Sequence, residues 1–276
     1  MNKSYQLILI TLCFISEINS QEIKVDPIKL LGNRSDKNSV GHGVNVALYP
    51  GRKPLIFYAT HKLGPIFSPA NQTVLEWFPD HVKLASAKND TKINEECELC
   101  VTEQDVIVAQ YTITNNQKQA QNYAIIISGD NRESINWRGK TGGVKKTSVE
   151  GNFLILSDSN VFPEIFNDFY EIIGSSEPAQ FLETNIPGSY KIKYEITIPA
   201  KTQKTCIVAV AVGANKDKTK QRLTEVIKQK DPVAQNRASW LKFFTDEIPR
   251  FSCSDRQLEQ LYYFRWFLLK FSTAGG

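Results

Sequence analysis

Between residues 44 and 213 the hydrophobic positions of the chain come in short runs rich in Val, Ile, Tyr, Phe and Thr. Gly, Pro, Asn and Asp separate the runs, as expected of strands joined by turns. The run at residues 190–199 alternates strictly, so its apolar and polar side chains are predicted to take opposite faces of a strand. The predicted strands are VNVALYP, PLIFYAT, VIVAQYTITN, NYAIIISG, NFLILSD, YKIKYEITIP and CIVAVAVG. Because no helical pattern comes between them, we expect an antiparallel β-sandwich over residues 21–218.

Beyond residue 219 the spacing of apolar positions becomes that of a helix. In KTKQRLTEVIKQKD, Leu223, Val226 and Ile227 fall on one stripe. The segment PVAQNRASWLKFFTDEIP is predicted to bury a second stripe, made of Val233, Ala234, Ala238, Leu241 and Phe244. Pro232 suits the first turn of this second helix, and Pro249 marks its end. We therefore expect residues 219–252 to form a helical linker.

The last predicted helix lies in SDRQLEQLYYFRWFLLKF, residues 254–271. Ser254 is suited to cap its first turn, Gln257 to return the capping bond, and Asp255 to place a negative charge there. Beyond Leu258 the apolar residues cover the whole circumference of the helix: Leu261, Tyr262, Tyr263, Phe264, Trp266, Phe267, Leu268 and Leu269. A helix that is apolar on every side has to be buried on every side.

The aromatic residues of this helix alone need roughly 1,000 Å² of cover. The sandwich and linker can cover one side, and leaving half of that area in water forfeits about 12 kcal/mol. An exposed apolar patch of this kind drives association. Either the helix packs in a dimer, or it is the first helix of a larger helical domain that starts at residue 253 and is truncated at residue 276. We favour truncation, because the ending STAGG carries no apolar pattern.

The N-terminus MNKSYQLILITLCFISEINSQE has the pattern of a secretory signal peptide: one lysine, an apolar run from Leu7 to Ile15, and then small polar residues. We expect cleavage near Ser20, with residues 1–20 as the signal peptide, and export to the periplasm or the extracellular space. The apolar run is too short to span a bilayer, so no stable membrane insertion is expected. Leu12 stands before Cys13 where lipidation signals need a small residue, which disfavours a lipid anchor.

The charge and the cysteine content argue against two kinds of function, nucleic-acid binding and metal binding. The net charge is +4 over 276 residues and the lysines are scattered, which does not favour nucleic acid as a partner. Cys97 and Cys100 form a lone C-x-x-C, which in an oxidising compartment can be a disulfide, half of a metal site or two small buried residues. The histidines show no metal-ligand spacing: His42, His61 and His81. We therefore predict neither a metal site nor a cofactor.

Residues 240–270, WLKFFTDEIPRFSCSDRQLEQLYYFRWFLLK, resemble a junction in bacterial secreted six-hairpin glycoside hydrolases related to family 63 and to mannosylglycerate hydrolase. In those enzymes a β-sandwich, a linker helix and an (α/α)₆ barrel follow one another. YTITNNQKQAQNYAIIISG and YEITIPAKTQKTCIVAVAVG resemble a sandwich strand pair and the last hairpin before the linker. The resemblance implies a mainly β chain: an antiparallel β-sandwich (a supersandwich), a helical linker and the first helix of a truncated (α/α)₆ barrel.

The six-hairpin glycoside hydrolases that this chain resembles hold two carboxylic acids on opposite sides of the sugar, roughly 6.5–9.5 Å apart in inverting enzymes. Both come from later barrel helices, so the resemblance assigns no catalytic residue to this chain. The candidate substrate-binding residues are Tyr263, Arg265 and Trp266, because a buried arginine needs an acceptor and aromatic faces stack on sugars. Packing in the barrel core is the alternative role for them. Glu259, an acid beside Arg256 in the early turns, is expected to be solvated or structural.

Three function classes remain open. We favour the N-terminal, non-catalytic portion of an exported glycoside hydrolase, with a carbohydrate substrate and a missing C-terminal helical barrel as its partners; this fragment is then inactive alone. The second is a stand-alone carbohydrate-binding sandwich. Trp77, Phe78 and Trp137 can form a sugar-binding platform, although packing in the core or between the sheets is the commoner fate of such residues. The third is a structural or adhesive module that dimerises through the last helix.

Overall fold

The computed structural model describes residues 26–32, 72–86, 92–130, 136–137, 140–141, 145–162, 166–185 and 189–272. The predicted signal peptide and the predicted strands at residues 44–50 and 54–60 lie outside this part of the chain. Apart from one short helix near the start, the described residues form strands as far as Gly213 and helices after it. This order confirms the predicted change of structure near residue 219.

The described elements follow one another along the chain, and the last two α-helices are separated by a π-helical turn, Phe243–Glu247. The helices and strands are α1 Pro27–Leu31, β1 Gln72–Trp77, β2 Val82–Ser86, β3 Ile93–Val101, β4 Val106–Asn115, β5 Gln121–Asp130, β6 Asn136–Trp137, β7 Lys140–Thr141, β8 Lys145–Glu150, β9 Phe153–Phe162, β10 Phe166–Ser175, β11 Ala179–Leu182, β12 Ser189–Ile198, β13 Gln203–Gly213, α2 Lys216–Ile227, α3 Pro232–Lys242 and α4 Arg256–Ser272.

The strands form two main antiparallel sheets. Eight of them lie in the order β1-β2-β3-β4-β13-β10-β9-β8, and three lie in the order β11-β12-β5; β6 and β7 make a separate two-stranded ribbon. The chain passes between the main sheets four times: from β4 to β5, from β5 to β8 by way of β6 and β7, from β10 to β11, and from β12 to β13. At the centre of the large sheet Tyr111 of β4 pairs with Cys97 of β3 on one side and Cys206 of β13 on the other.

The large sheet is covered on both faces, so the molecule has three layers. Alternate residues of β4, such as Ile107 and Tyr111, are buried in one cluster together with residues of β5 and β12. The residues between them, such as Val106 and Val108, are buried in a second cluster with Leu223 of α2. Coverage on both faces explains why β13 reads CIVAVAVG, an unbroken apolar run rather than an alternating one.

The small sheet has one buried and one wet face, as its alternation predicts. In β12 the apolar set is almost fully buried: Ile192, Tyr194, Ile196 and Ile198. The intervening polar residues, including Lys191, Glu195 and Thr197, are exposed. The predicted antiparallel sandwich is therefore confirmed, with its core between the two sheets.

Side-chain caps fix where the linker helices start. The Asn215 side chain accepts a hydrogen bond from the Lys218 backbone N–H at 3.0 Å, so α2 starts three residues earlier than the predicted linker. The Asp231 carboxylate accepts one from the Ala234 N–H at 2.8 Å, and Pro232 occupies the first turn of α3. The predicted stripe of α2 is confirmed, since Leu223 and Val226 are buried and Ile227 packs beside them.

The predicted stripe of α3 is wrong in part. Val233 and Phe244 are buried, but Leu241 is 40% exposed and Ala234 and Ala238 are exposed as well. The helix turns a different face inward, which carries Val233, Asn236, Trp240 and Phe244. Burying the indole of Trp240 removes far more apolar surface from water than burying two alanines. Asn236 tolerates burial because its Nδ2 donates to the backbone oxygen of Asp80 at 2.7 Å.

The predicted cap of α4 is wrong by one residue. The Asp255 carboxylate, rather than the Ser254 hydroxyl, accepts from the backbone N–H groups of Gln257 and Leu258, at 2.9 and 3.2 Å. Gln257 then lies in the second helical position and is not placed to return a capping bond. A carboxylate at this end also interacts favourably with the helix dipole, which a hydroxyl does not.

The four cysteines among the described residues are free, and three of them are buried. Cys97 and Cys100 stand three residues apart on β3, so their side chains leave opposite faces of the strand and do not form a disulfide. The small buried role is confirmed for both residues. Burial raises the pKa of the Cys97 thiol well above its usual value and raises that of Cys206 to about 11.

These thiols are expected to react slowly in the folded protein, because the thiolate is the nucleophile. In a chain that starts at residue 21, Ellman's reagent is expected to label Cys253 quickly and the three buried thiols only on unfolding. A Cys253→Ser variant should lose the fast phase. Rapid labelling of two or more thiols in native buffer would contradict the burial described here.

Candidate functional site: helix α4 and its open face

One side of α4 packs against the sandwich and the linker. Tyr263, Phe267 and Phe271 are buried along this side, one turn apart. The ring of Phe267 lies 5.6 Å from that of Trp77 in an edge-to-face arrangement and 5.4 Å from that of Trp240. These contacts join the last helix to β1 and to α3 in one aromatic cluster.

Tyrosine hydroxyls hold the segment between α3 and α4 against the helix. The Tyr263 hydroxyl donates a hydrogen bond to the backbone oxygen of Phe251 at 2.9 Å and accepts one from the Phe251 N–H at 3.3 Å. The neighbouring Tyr262 hydroxyl donates to the backbone oxygen of Pro249, and its ring lies 4.8 Å from that of Phe251. At the other end of the helix, Lys270 lies over the Phe243 ring at 4.6 Å and pairs with Glu103 at 3.2 Å.

The opposite side of α4 is open to solvent. Leu258 is 50% exposed, Leu261 48% and Leu269 61%, and the exposed Arg265 lies between them on the same stripe. We call these four residues the open face of α4. The described residues cover one side of this helix and leave the leucines of the other side exposed, as expected if the described sandwich and linker enclose the helix only in part.

The three predicted substrate-binding residues do not share one surface. Tyr263 is 4% exposed and faces the core, and its hydroxyl is committed to Phe251. Arg265 faces solvent on the open face, and Trp266 is half-buried at the edge of that face, 6.4 Å from the Tyr262 ring. Their role in binding sugar stays a prediction.

Glu259 is buried rather than solvated. Only 7% of it is exposed, and its Oε1 accepts no hydrogen bond among the described residues. The solvated alternative is therefore wrong for this residue, because the side of the first turns that carries Glu259 lies against the molecule. Nothing in the sequence marks this acid as buried, since it sits among polar residues in SDRQLEQ.

The proposed sugar platform is not assembled from its described members. Trp77 is 3% exposed and packs in the core, so the packing alternative is confirmed for it. Phe78 is half-buried, and its ring stacks on that of His81 at 4.9 Å. The side chain of Trp137 lies outside the described part of the structure. Within that part, no group of three His, Cys, Asp or Glu residues could hold a metal ion.

The described chain also contains no helix that is both long enough and apolar enough to cross a membrane.

Comparison with solved structures gives the fold a context. A human-microbiome protein assigned as a kojibiose phosphorylase matches 69% of this chain with 12% identity and a TM-score of 0.52. The chain shares the fold of part of that protein. It spans about a quarter of the other protein's length, 26%.

Further matches have lower TM-scores. A family GH92 inverting mannosidase from Bacteroides thetaiotaomicron matches 73% of this chain with 12% identity and a TM-score of 0.45, over 26% of its own length. A bacterial glucoamylase complexed with acarbose matches 69% of this chain with 10% identity and a TM-score of 0.45, over 30% of its own length. No protein-family model matches the chain. No curated protein matches it either.

Proposed function

We propose that this chain is the N-terminal, non-catalytic portion of an exported glycoside hydrolase, whose catalytic helical domain begins with α4. The observation that carries the proposal is the open face of α4, on a helix whose other side is fixed to the sandwich. The chain shares the fold of part of the protein assigned as a kojibiose phosphorylase, which supports the proposal. The chain also spans only about a quarter of that protein, as expected of a portion of a larger enzyme.

The energetics of the open face favour a packed partner. Burying a leucine side chain fully is worth about 1.5–3 kcal/mol, and three leucines here are each about half exposed. Covering them therefore gains roughly 2–4 kcal/mol, a large fraction of the stability of a domain. An antiparallel helix that presents its own apolar stripe would cover the face in the way helices of a barrel cover one another.

Arg265 requires a hydrogen-bond acceptor in the proposed interface. A guanidinium that becomes buried between two helices needs an acceptor, and a carboxylate binds it in two parallel hydrogen bonds. We expect the covering helix to place an acidic residue opposite Arg265. Arg265 on the open face and Trp266 at its edge remain candidates for the floor of a sugar site, while Tyr263 positions the helix from the core.

The finer assignment follows the sequence resemblance to enzymes related to family 63 and to mannosylglycerate hydrolase. In this proposal the two catalytic carboxylic acids belong to the helical domain after residue 276. The substrate is an oligosaccharide or polysaccharide with an O-glycosidic bond, and the chain described here supplies support rather than chemistry.

Activity measurements with two lengths of the protein test this proposal. Residues 21–276 and the same chain extended by the downstream coding sequence are assayed on aryl glycosides and α-linked disaccharides of glucose and mannose. We expect hydrolysis only with the extended protein. Hydrolysis by residues 21–276 alone, or a downstream sequence without helical hairpins and paired acids, would overturn the proposal.

Export is the second part of the proposal and rests on the signal-like N-terminus. A full-length chain produced in a Gram-negative host should reach the periplasm and lose its first residues near Ser20, as N-terminal sequencing would show. Retention in the cytoplasm with Met1 intact would contradict it.

Dimerisation through α4 is the one alternative that a specific observation favours, since the open face would also suit a second copy. Sedimentation of residues 21–276 distinguishes the two cases when compared with a Leu261→Glu, Leu269→Glu variant. A dimer that the two substitutions convert to a monomer, together with an extended protein that is also dimeric, would favour the adhesive or structural role.

A further inference from the structure

A cluster of polar and charged side chains lies where the N-terminus of α3 meets the large sheet. The Gln110 side chain of β4 donates from Nε2 to the Asp231 carboxylate, the cap of α3, at 3.3 Å. In the ladder, Gln110 is the direct partner of Glu98 on β3. Glu98 is thus one strand away from a residue that binds Asp231. The Gln110 amide therefore binds the Asp231 carboxylate and lies beside Glu98 on the neighbouring strand.

Other charged groups face Glu98 from every element packed around it. His81, in the turn between β1 and β2, places Nε2 at 3.7 Å from Glu98 Oε1, but its Nδ1 is engaged by Asp80 at 2.9 Å. Lys83 of β2 pairs with Glu96 of β3 at 2.9 Å rather than with Glu98. Among the described residues, the cation that pairs with Glu98 is therefore His81, only in its protonated form, and Asp80 shares it.

The amide between the two carboxylates has one unused acceptor. Gln110 is 6% exposed, and its Oε1 has no hydrogen-bond partner among the described residues. A buried acceptor without a donor costs free energy. A protonated Glu98 carries an O–H group that could supply this donor, whereas an ionised Glu98 has none.

The pKa of Glu98 is shifted upward, in the direction that favours this protonated form. Burial raises the pKa of its carboxyl, and the negative charge of Asp231 raises it further, while His81 and Lys83 oppose the shift. A carboxyl whose pKa is raised by folding stabilises the folded state fully below its unfolded pKa. That contribution is lost as the pH rises through the folded pKa.

We propose that Glu98, Gln110 and Asp231 form a proton-dependent latch that holds the N-terminus of α3 on the sandwich. With a proton on Glu98, the chain of hydrogen bonds runs from Glu98 O–H to Gln110 Oε1 and from Gln110 Nε2 to Asp231. Without that proton, Glu98 and Asp231 repel each other and Gln110 Oε1 is left unpaired. The linker therefore docks more tightly in mild acid than at neutral pH. This inference does not depend on the proposed function.

Glu98→Gln is the decisive variant, because its amide N–H imitates the protonated carboxyl at every pH. Hydrogen exchange of the α3 backbone, expressed as protection factors, and the folding equilibrium constant are measured from pH 4 to pH 8. The wild-type protein is expected to lose protection in α3 as the pH rises. The variant should keep it, and its folding constant should exceed the wild-type value by several-fold, up to about tenfold, at pH 7 and by little at pH 4.

Glu96→Gln is the matched control on the same strand face, since Glu96 is paired with Lys83. It should not gain stability at neutral pH. Asp231→Asn is a second test if Glu98→Gln folds poorly, because asparagine still caps a helix while the repulsion with Glu98 is removed. The latch is overturned if Glu98→Gln and wild-type protein show the same dependence of α3 protection on pH, or if Glu96→Gln reproduces the effect.

Discussion

Replacing Phe267 with alanine is expected to lower the free energy of unfolding by about 3–5 kcal/mol. The ring is fully buried and is the point where α4 meets two other elements, through Trp77 of β1 and Trp240 of α3. Its removal leaves a cavity that these two large rings cannot fill without moving. Urea denaturation followed by far-UV circular dichroism measures the loss.

The control for this prediction lies on the same helix. Leu261→Ala also removes a large apolar side chain, but from the open face, where 48% of it is already in water. Its cost is expected to stay below about 1 kcal/mol. Equal losses for the two variants would mean that α4 does not use its aromatic side to bind the rest of the molecule.

Replacing Asn115 with alanine is expected to cost about 2–4 kcal/mol. Asn115 ends β4 and is 1% exposed; its Nδ2 donates to the backbone oxygens of Gln119, Ile198 and Pro199 at 2.9–3.1 Å. Those oxygens belong to two of the connections between the main sheets, from β4 to β5 and from β12 to β13, so one amide fastens both. Without it, buried carbonyl groups lose their donor.

Asn115→Asp makes this prediction specific. The carboxylate keeps the bond from the Gln117 N–H, 2.8 Å long in the wild-type protein, but directs an oxygen at three carbonyl oxygens. Repulsion raises the pKa of the new carboxyl in the folded state, so the loss of stability should grow as the pH rises from 4 to 7. Asn122→Ala, on the wet face of β5, should cost less than about 0.5 kcal/mol at either pH. A pH-independent loss for Asn115→Asp would contradict the described role of the amide.

Sequence reasoning found the elements whose pattern depends on local burial. The runs that became β4, β5, β9, β12 and β13 are apolar or strictly alternating, and they were predicted. Strand β3, INEECELCV, was not, because three of its nine residues are glutamates. One of them, Glu95, is 6% exposed and accepts a hydrogen bond from the Tyr123 hydroxyl of β5. Tyr123, 28 residues away, makes the burial of Glu95 possible, and a pattern of neighbouring residues cannot predict such a partner.

The same limit applies to the linker and to the site. Whether α3 buries Trp240 or Leu241 depends on where α4 and β1 leave room for a side chain in the aromatic cluster. The spacing of apolar residues within α3 does not show this. The sequence could predict that α4 leaves apolar surface exposed, because apolar residues occupy its whole circumference. Which residues compose it was not predictable, because this requires knowing that Tyr263 packs against Phe244 and Phe267 against Trp240. The cluster around Glu98 joins residues from four separate segments and leaves no motif in the sequence.

The π-helical turn at Phe243–Glu247 constrains how this protein can be recombined with others. A π-helical loop takes one more residue than an α-helical one, and one residue corresponds to about 100° of rotation about the helix axis. The extra residue is therefore taken up inside the turn, where the rings of Phe243 and Phe244 contact that of Trp240. Chimaeras that graft another helical domain onto this sandwich should be joined after Ile248, so that this turn and its contacts with the sandwich side of the linker are kept.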